Sequence, residues 1–115
     1  MHVVKADRRG LKPFDTPGAT VQTSDPIVAE GDCLSAGFTE YTAASRLEWT
    51  FDYNEVFFML RGSLEIQTDG QAAVLFEEGD LGYIEKDTQT VITVPEYAYM
   101  VHVTQPAWRG EKQSS

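Results

Sequence analysis

Turn signals interrupt this chain about every eight to twelve residues, and that spacing restricts the folds open to it. The segments between the turns are short. They either alternate apolar and polar residues, as Leu64-Glu65-Ile66 does, or form a brief apolar run, as residues 56–60 do. No stretch longer than about ten residues carries a 3.6-residue apolar period. The sequence therefore predicts an all-β antiparallel domain of jelly-roll or barrel type.

The predicted strands are bounded by glycine, proline and aspartate. Asp69-Gly70 predicts a tight hairpin, because glycine tolerates the positive φ that the favoured turn requires. In the first strand, Leu34, Ala36 and Phe38 alternate with small or polar residues, which is the period of a half-buried strand. The predicted strands span residues 34–39, 47–51, 56–60, 63–67, 72–76, 81–84, 91–94 and 98–104.

A length of 115 residues is enough for one domain with a modest core. Residues 1–27 contain several turn signals and predict an arm with one or two short edge strands. Residues 28–108 form the predicted barrel. Residues 109–115 are polar and predict a frayed tail.

Charge and composition exclude several classes of partner. A formal charge of −9 argues against a nucleic-acid partner, which requires a concentrated basic face, and disfavours anionic membrane surfaces. No apolar run reaches the roughly 18 residues of a membrane-spanning helix, and residues 1–5 lack a secretory apolar region. The lone Cys33 excludes an intramolecular disulfide and fits a cytoplasmic location, where we expect it to be a small buried residue.

Glu55, six residues and Gly62, followed later by Gly79-Asp80, resemble the two signature motifs of the cupin superfamily. The histidines that usually precede the glutamate are missing. Counting back, their positions fall on Trp49 and Phe51, or on Glu48 and Thr50, depending on the spacer. In the second motif only the first glycine matches. The remaining motif positions are occupied by Glu85, Asp87, Thr90 and Val94.

A closer resemblance is to the ethanolamine-utilisation Q-type cupins, which also lack the histidine set. It rests on the run from Glu48 to Glu55, on Val94-Pro95-Glu96-Tyr97-Ala98 and on Pro106-Ala107-Trp108, and covers roughly residues 30–108. The resemblance implies a small single-domain cupin. Longer family members carry an N-terminal extension that this chain mostly lacks. Kinase-type activity has been attributed to relatives, but no Gly-rich phosphate loop precedes a helix here, so we do not expect it.

Glu55 is the central candidate site residue. If it points into the barrel, Phe57 and Met59 do so as well, whereas Val56 and Phe58 pack the other face together with residue 60. The predicted pocket has aromatic and apolar walls around one or two carboxylates, as small-molecule sites usually have. Further candidates for its lining are Glu48, Trp49, Tyr53, Tyr83, Thr90 and His102.

Glu55 has three possible roles. As a catalytic acid or base, assisted by Glu48 and Tyr53, it would gain from burial, which raises the pKa of a carboxyl toward neutral pH. As scaffold, it would be hydrogen-bonded to Tyr53 or to a backbone amide. As a metal ligand it would need partners, and only His2 and His102 are present. A divalent metal is therefore disfavoured, no metal ligand is assigned and no cofactor is predicted.

Three functional hypotheses remain open, and the sequence does not decide whether the protein is an enzyme. The first is a small-molecule-binding cupin, with or without a metal-independent reaction at Glu55. The second is a metal-dependent isomerase, lyase or dioxygenase with an atypical site. The third is a non-catalytic structural or regulatory module. The apolar run of residues 56–60 needs cover on both faces, which predicts a C2 homodimer.

Overall fold

The computed structural model describes residues 1–108, and nine strands lie in that part of the chain. Short 3-10 turns occupy Ala6–Arg8 and Glu30–Asp32. No helix in residues 1–108 is long and apolar enough to cross a membrane. The strands are β1 (Lys12–Phe14), β2 (Val21–Val28), β3 (Ser35–Tyr41), β4 (Ser45–Phe51), β5 (Asn54–Thr68), β6 (Val74–Glu77), β7 (Leu81–Ile84), β8 (Thr88–Val94) and β9 (Ala98–Gln105).

The strands form one antiparallel sheet that curls around a core, in the order β1-β2-β3-β9-β5-β8-β4, with β6 and β7 also paired to β5. The all-β prediction is therefore confirmed. Strand β5 joins the two halves of the fold. Its first half pairs with β9 and β7, and its second half pairs with β8 and β6.

Gly62 lies where β5 passes from one half of the fold to the other. Its φ is +76°, and a Cβ atom there would lie 2.1 Å from the carbonyl oxygen of Tyr97. Both the positive φ and the close approach exclude a side chain. The glycine of the Glu-x6-Gly motif is thus required by the path of the backbone. Gly70 has a φ of +72° in the hairpin between β5 and β6, as its sequence predicts.

Alternation along β5 follows the prediction. Phe57 and Met59 are buried at 1% and 0% exposure, whereas Val56 and Phe58 are 40% and 41% exposed on the opposite face. Leu81 and Tyr83 of β7 pair with these two outer residues and are also exposed. The fold therefore carries an uncovered apolar strip on the outer face of this half.

Strand β3 differs from the expectation, because its polar and small face is the inner one. Ser35 and Gly37 are buried, whereas Leu34 is exposed and Phe38 is half-buried. The Ser35 hydroxyl hydrogen-bonds that of Thr104 across 2.7 Å. A Cβ at Gly37 would lie 1.8 Å from the Ser24 carbonyl oxygen, so neighbouring backbone fills the space of a side chain.

The N-terminal segment is more fully part of the barrel than an arm of edge strands would be. Strand β1 is a three-residue edge strand, but β2 has eight residues and pairs with β3 as well as with β1. Cys33 is exposed at the end of the Glu30–Asp32 turn, so the prediction that it is buried is wrong. The frayed tail predicted for residues 109–115 lies outside the described residues.

Candidate functional site

A cavity of about 60 Å³ lies inside the curled sheet. Since one water needs roughly 10–15 Å³ measured this way, the cavity has room for about four to six water-sized groups. Its wall is mostly apolar, as small-molecule sites usually are. Six lining side chains carry aromatic rings: Phe14, Tyr41, Trp49, Tyr53, Phe57 and Trp108.

Glu55 supplies the carboxylate of this cavity. Strand alternation turns it to the same side as Phe57, and its backbone pairs with Ile84 on β7 and Thr104 on β9. The residue is half-buried and lines the cavity. Within residues 1–108 its carboxylate accepts no hydrogen bond and forms no ion pair. The alternative in which Tyr53 or a backbone amide holds Glu55 as scaffold is therefore not observed in the described chain.

The environment of Glu55 shifts its protonation equilibrium. Desolvation by the surrounding protein raises the pKa of Glu55 from 4.5 to about 7. The charge of His102 lowers this pKa, and the charge of Asp25 raises it. Because burial dominates, Glu55 exchanges its proton near neutral pH. That behaviour is what general acid/base chemistry requires.

His102 lies beside Glu55 in a buried polar chain that spans three strands. Its Nε2 donates to Oδ1 of Asp25 across 2.8 Å, and its Nδ1 lies 2.8 Å from Oγ1 of Thr39. The other oxygen of Asp25 accepts a hydrogen bond from Nε1 of Trp108 at 2.8 Å. The Asp25 and His102 side chains are 11% and 2% exposed. This network holds the imidazole in one orientation, and both of its nitrogens are engaged in hydrogen bonds.

Three hydroxyl groups on the wall retain hydrogen-bonding capacity. Oγ1 of Thr23 is buried and has no partner in the described chain. Oη of Tyr53 accepts a hydrogen bond from Nε1 of Trp49 at 2.9 Å, which leaves its proton free to be donated. Burial, followed by the charge of Glu55, raises the pKa of Tyr41 and Tyr53 well above the usual value. Both tyrosines therefore remain protonated donors.

An aromatic cluster closes one side of the cavity. The ring centroid of Phe14 lies 5.9 Å from that of Trp49 and 5.3 Å from that of Trp108, and the two tryptophans are 5.9 Å apart. All three pairs are edge-to-face, an arrangement that stabilises aromatic contacts. Phe14 and Trp49 are only half-buried, so this part of the wall reaches the protein surface.

Five of the nine residues proposed from the sequence come together at the cavity: Trp49, Tyr53, Glu55, Phe57 and His102. The other four do not line it. Met59 is fully buried in the core. The Thr90 hydroxyl donates to the Trp49 carbonyl at 2.7 Å.

Glu48 and Tyr83 lie away from this cavity for one physical reason, the alternation of side chains along a strand. Glu48 precedes the cavity-lining Trp49, so it faces outward, where it pairs with Arg46 at 3.6 Å. Tyr83 pairs with the outward-facing Val56 and is 60% exposed. Glu48 and Thr90 instead line a separate polar groove of about 400 Å³.

Four residues that the sequence reasoning missed complete the site: Thr23, Asp25, Tyr41 and Trp108. Asp25 precedes Pro26 within β2, where the register shifts between Ser24 and Ile27. A proline inside an otherwise regular strand is a sequence signal for such a bulge, which redirects a side chain.

The residues present do not fit a transition metal. His102 offers no free nitrogen, because Asp25 and Thr39 occupy both. The motif positions at which cupins carry histidine hold Trp49 and Phe51, or Glu48 and Thr50, and none of these is histidine. Glu48, which has the one carboxylate among them, faces outward and pairs with Arg46. Among the described residues, no group of three His, Cys, Asp or Glu side chains is placed to hold a metal ion.

Comparison with known proteins agrees with this architecture. The family model for ethanolamine utilisation protein EutQ matches residues 1–110. An acetate kinase EutQ from Clostridioides difficile is 33% identical over 110 residues, which cover 94% of this chain and 69% of that protein. A second acetate kinase EutQ, from Salmonella typhimurium, is 27% identical over 82 residues, which cover 70% of this chain but only 35% of the relative.

Solved structures of an EutQ protein and of another cupin have a similar fold. The structure of the Clostridium difficile EutQ protein superposes with a TM-score of 0.71 at 32% identity, covering 81% of this chain and 67% of that one. An RmlC-like cupin from Shewanella frigidimarina superposes with a TM-score of 0.73 at 13% identity, covering 95% of this chain and 94% of that one. The latter likeness concerns the fold alone.

A curled antiparallel sheet around an aromatic-walled cavity, with Glu55 where the superfamily motif has its glutamate, defines a cupin without the histidine set. Within that class, the chain belongs to the ethanolamine utilisation protein EutQ family.

Proposed function

We propose that this protein binds a small molecule in the cavity and that Glu55 exchanges a proton with it, without a metal. The observation that carries the proposal is a carboxyl group that has no hydrogen-bond partner in the described chain and lines a mostly apolar cavity. An ionisable group without a partner inside a protein lowers its stability, so the presence of Glu55 in the cavity favours a functional role.

The neighbouring groups suggest how a ligand would be held. Tyr41 and Tyr53 can donate hydrogen bonds to a ligand oxygen, and Thr23 can donate or accept one. The Asp25–His102 pair keeps charge close to Glu55 without occupying its carboxylate. Glu55 would then accept a proton from the ligand in its ionised form or donate one in its neutral form.

The variant Glu55→Gln tests the proposal, because it removes the ionisable group and keeps the shape. We expect it to lose ligand-induced thermal stabilisation in a screen of small molecules of about four to six non-hydrogen atoms, while remaining folded. Glu65→Gln is the matched control, since Glu65 lies on the same strand and is exposed. Equal ligand responses in both variants would contradict the proposal. If no small molecule stabilises the wild type, a non-catalytic structural or regulatory module would be favoured instead.

The metal-dependent alternative has its own measurement. Elemental analysis of protein purified without chelators is expected to find less than about a tenth of an equivalent of divalent metal. Added metals are expected to leave Tm unchanged, whereas a metal that bound the native state would raise it. A stoichiometric metal that raises Tm would replace the metal-independent proposal.

Acetate kinase activity, named in both curated relatives, is not assigned to this chain. The chain spans 69% and 35% of those proteins. In residues 1–108 the only helical segments are two three-residue 3-10 turns, so no Gly-rich loop leads into a helix that could receive phosphates. An assay with acetate and ATP measures this activity directly. Phosphoryl transfer that depends on Glu55 would contradict the proposal that the protein is not an acetate kinase.

We further propose that the uncovered strip of Val56, Phe58, Leu81 and Tyr83 is where a second copy of the chain binds. Contiguous exposed apolar residues favour association, and a two-fold pairing of identical strips is the simplest closed arrangement. For the compartment we propose a reducing cytoplasm, on the ground of the single cysteine.

A further inference from the structure

We infer that the reaction of this cavity is the removal of a proton from a carbon next to a carbonyl group, with Glu55 as the base and the hydroxyls of Tyr41 and Tyr53 as hydrogen-bond donors to the carbonyl oxygen. The substrate class is a neutral α-hydroxy ketone or aldehyde of about four to six non-hydrogen atoms, the size that the cavity admits. The inference rests on the proposed function, because it assigns the substrate class and the reaction of the same cavity.

Glu55 is placed to act as the base. It lines the cavity, and within residues 1–108 its carboxylate accepts no hydrogen bond and forms no ion pair. Desolvation raises the pKa of Glu55 to about 7, so its ionised form is a stronger base than an ordinary glutamate and is still populated at neutral pH. Protons on oxygen and nitrogen exchange with water without an enzyme. A buried base of this strength is therefore most useful for a proton on carbon.

Two tyrosine hydroxyls can stabilise the charge that forms on the carbonyl oxygen. Oη of Tyr53 accepts a hydrogen bond from Nε1 of Trp49, so its own proton is available to a substrate, and the Tyr41 hydroxyl has no hydrogen bond within residues 1–108. Burial, followed by the charge of Glu55, raises the pKa of both tyrosines, so both stay protonated. A carboxylate base combined with hydroxyl donors in a mostly apolar cavity is an arrangement that enolises carbonyl compounds.

Thr23 indicates a second oxygen on the substrate. It is 4% exposed and lines the cavity, and its Oγ1 has no partner in the described chain. Thr23 and Tyr41 are diagonal neighbours on the inner face of the β2–β3 pair, because Thr23 pairs with Thr39. A buried hydroxyl without a hydrogen bond is unfavourable, so a substrate that bonds to it gains affinity. A hydroxyl group next to the carbonyl carbon therefore suits this wall.

The reaction is balanced without a co-reactant. The Glu55 carboxylate takes a proton from carbon, the electron pair of that C–H bond forms a carbon–carbon double bond, and the π pair of the carbonyl group moves onto its oxygen. The tyrosines donate hydrogen bonds to this enolate oxygen and keep their protons. Return of the proton from Glu55 to the same carbon restores the carbonyl compound. If Glu55 exchanges its proton with solvent in between, that carbon acquires a solvent hydrogen.

The rate should depend on pH through Glu55. Asp25 on β2, Tyr41 on β3, Tyr53 before β5 and His102 on β9 are the titratable groups that act electrostatically on Glu55 or respond to its charge in the described chain. Only ionised Glu55 is a base. The rate should therefore rise about tenfold per pH unit below the pKa of Glu55 and level off above about pH 7.

Deuterium incorporation into hydroxyacetone in D2O, followed by proton NMR with the full chain at pD 8, tests this inference. We expect the wild type to exchange the carbon-bound protons faster than buffer alone, Glu55→Gln to lose about a hundredfold or more of this rate, and Glu65→Gln to match the wild type. Tyr41→Phe and Tyr53→Phe should each lower kcat about tenfold or more, whereas Thr23→Val should mainly raise KM. Propane-1,2-diol, which has the same size but no carbonyl group, should not exchange.

The outcomes separate the inference from the proposed function. A rise in Tm with hydroxyacetone that requires Glu55, without deuterium incorporation above the buffer rate, would overturn the enolisation and leave the proposed function standing. Exchange that Glu55→Gln does not slow would overturn both. Absence of both exchange and a rise in Tm would overturn the inference, while stabilisation of the wild type by another small molecule, lost in Glu55→Gln, would still support the proposed function. Exchange that requires Glu55 but is unchanged in Tyr41→Phe and Tyr53→Phe would overturn the role given to the tyrosines.

Discussion

The imidazole of His102 and the carboxylate of Asp25 are joined by a 2.8 Å hydrogen bond, although 77 residues separate them in the sequence. The two side chains act on Glu55 in opposite directions, since the charge of His102 lowers its pKa and that of Asp25 raises it. Burial therefore remains the dominant influence on Glu55. The pair therefore influences the pKa of Glu55 without forming a hydrogen bond to its carboxylate, which stays free for a ligand.

Removing Asp25 should destabilise the fold strongly. Asp25→Ala takes away the acceptor of both His102 Nε2 and Trp108 Nε1, and breaking a buried pair costs about 3 kcal/mol or more. Urea unfolding followed by tryptophan fluorescence measures the loss. The exposed Glu65→Ala should change the free energy of unfolding by no more than about 0.5 kcal/mol. Equal stabilities for the two variants would show that the buried network contributes little.

Stability should depend on pH through Glu55. Its pKa is raised in the folded state, so the native protein binds more protons than the unfolded chain between pH 4.5 and about 7. The contribution of Glu55 is fully present below pH 4.5 and is lost as pH rises through about 7, amounting to at most about 3 kcal/mol.

Urea unfolding at several pH values from 4.5 to 8.5 tests this sign. Glu55→Gln should gain stability relative to the wild type as the pH increases, whereas Glu65→Gln should follow the wild type. A constant difference between Glu55→Gln and the wild type across the range would contradict the raised pKa.

Gly62 and Gly70 form a matched pair for testing the bend in β5. Both have positive φ, but a Cβ at Gly62 would meet the Tyr97 carbonyl oxygen at 2.1 Å, whereas a Cβ at Gly70 would meet nothing within 4 Å. Gly70→Ala should cost about 1 kcal/mol through backbone strain alone. Gly62→Ala should cost at least about 2 kcal/mol more, measured by thermal or urea unfolding. Equal losses would exclude the close approach as the reason for Gly62.

The proposed dimer should dissociate when charge enters the outer strip. Phe58→Glu places a carboxylate among the exposed Val56, Leu81 and Tyr83, and sedimentation analysis should then give the mass of one chain instead of two. Val74→Glu, at an exposed position on β6, is the control and should remain dimeric. A wild-type protein that sediments as a monomer would refute the proposal.

The sequence predicts most of the strands, because side-chain alternation and turn chemistry are local. Strand β7 has the predicted bounds, and Phe57 and Met59 lie on the predicted face of β5. Which face of β3 is buried could not be predicted in this way, since Ala36 and Phe38 lie on the outer face and the smaller Ser35 and Gly37 on the inner one. Only the contacts of Ser35 and Gly37 with other strands reveal which side is inside.

The site was predicted in part. Glu55 is identified by its place in the motif. Asp25, which lies within the register shift in β2, joins the site only through hydrogen bonds to His102 and Trp108, 77 and 83 residues away. No local pattern encodes such contacts. Glu48 is a sequence candidate for assisting Glu55, but it neighbours the inward-facing Trp49 and therefore points away from the cavity.

The central claim is that Glu55 is an unpaired, desolvated carboxyl that exchanges its proton near neutral pH. Its side-chain carboxyl resonance can be followed by carbon-detected NMR between pH 4 and 9, with assignment by Glu55→Gln. We expect a midpoint near pH 7, well above the 4.5 of an ordinary glutamate. A midpoint at or below 4.5 would contradict the account, because it would mean that a charged partner already holds this carboxylate.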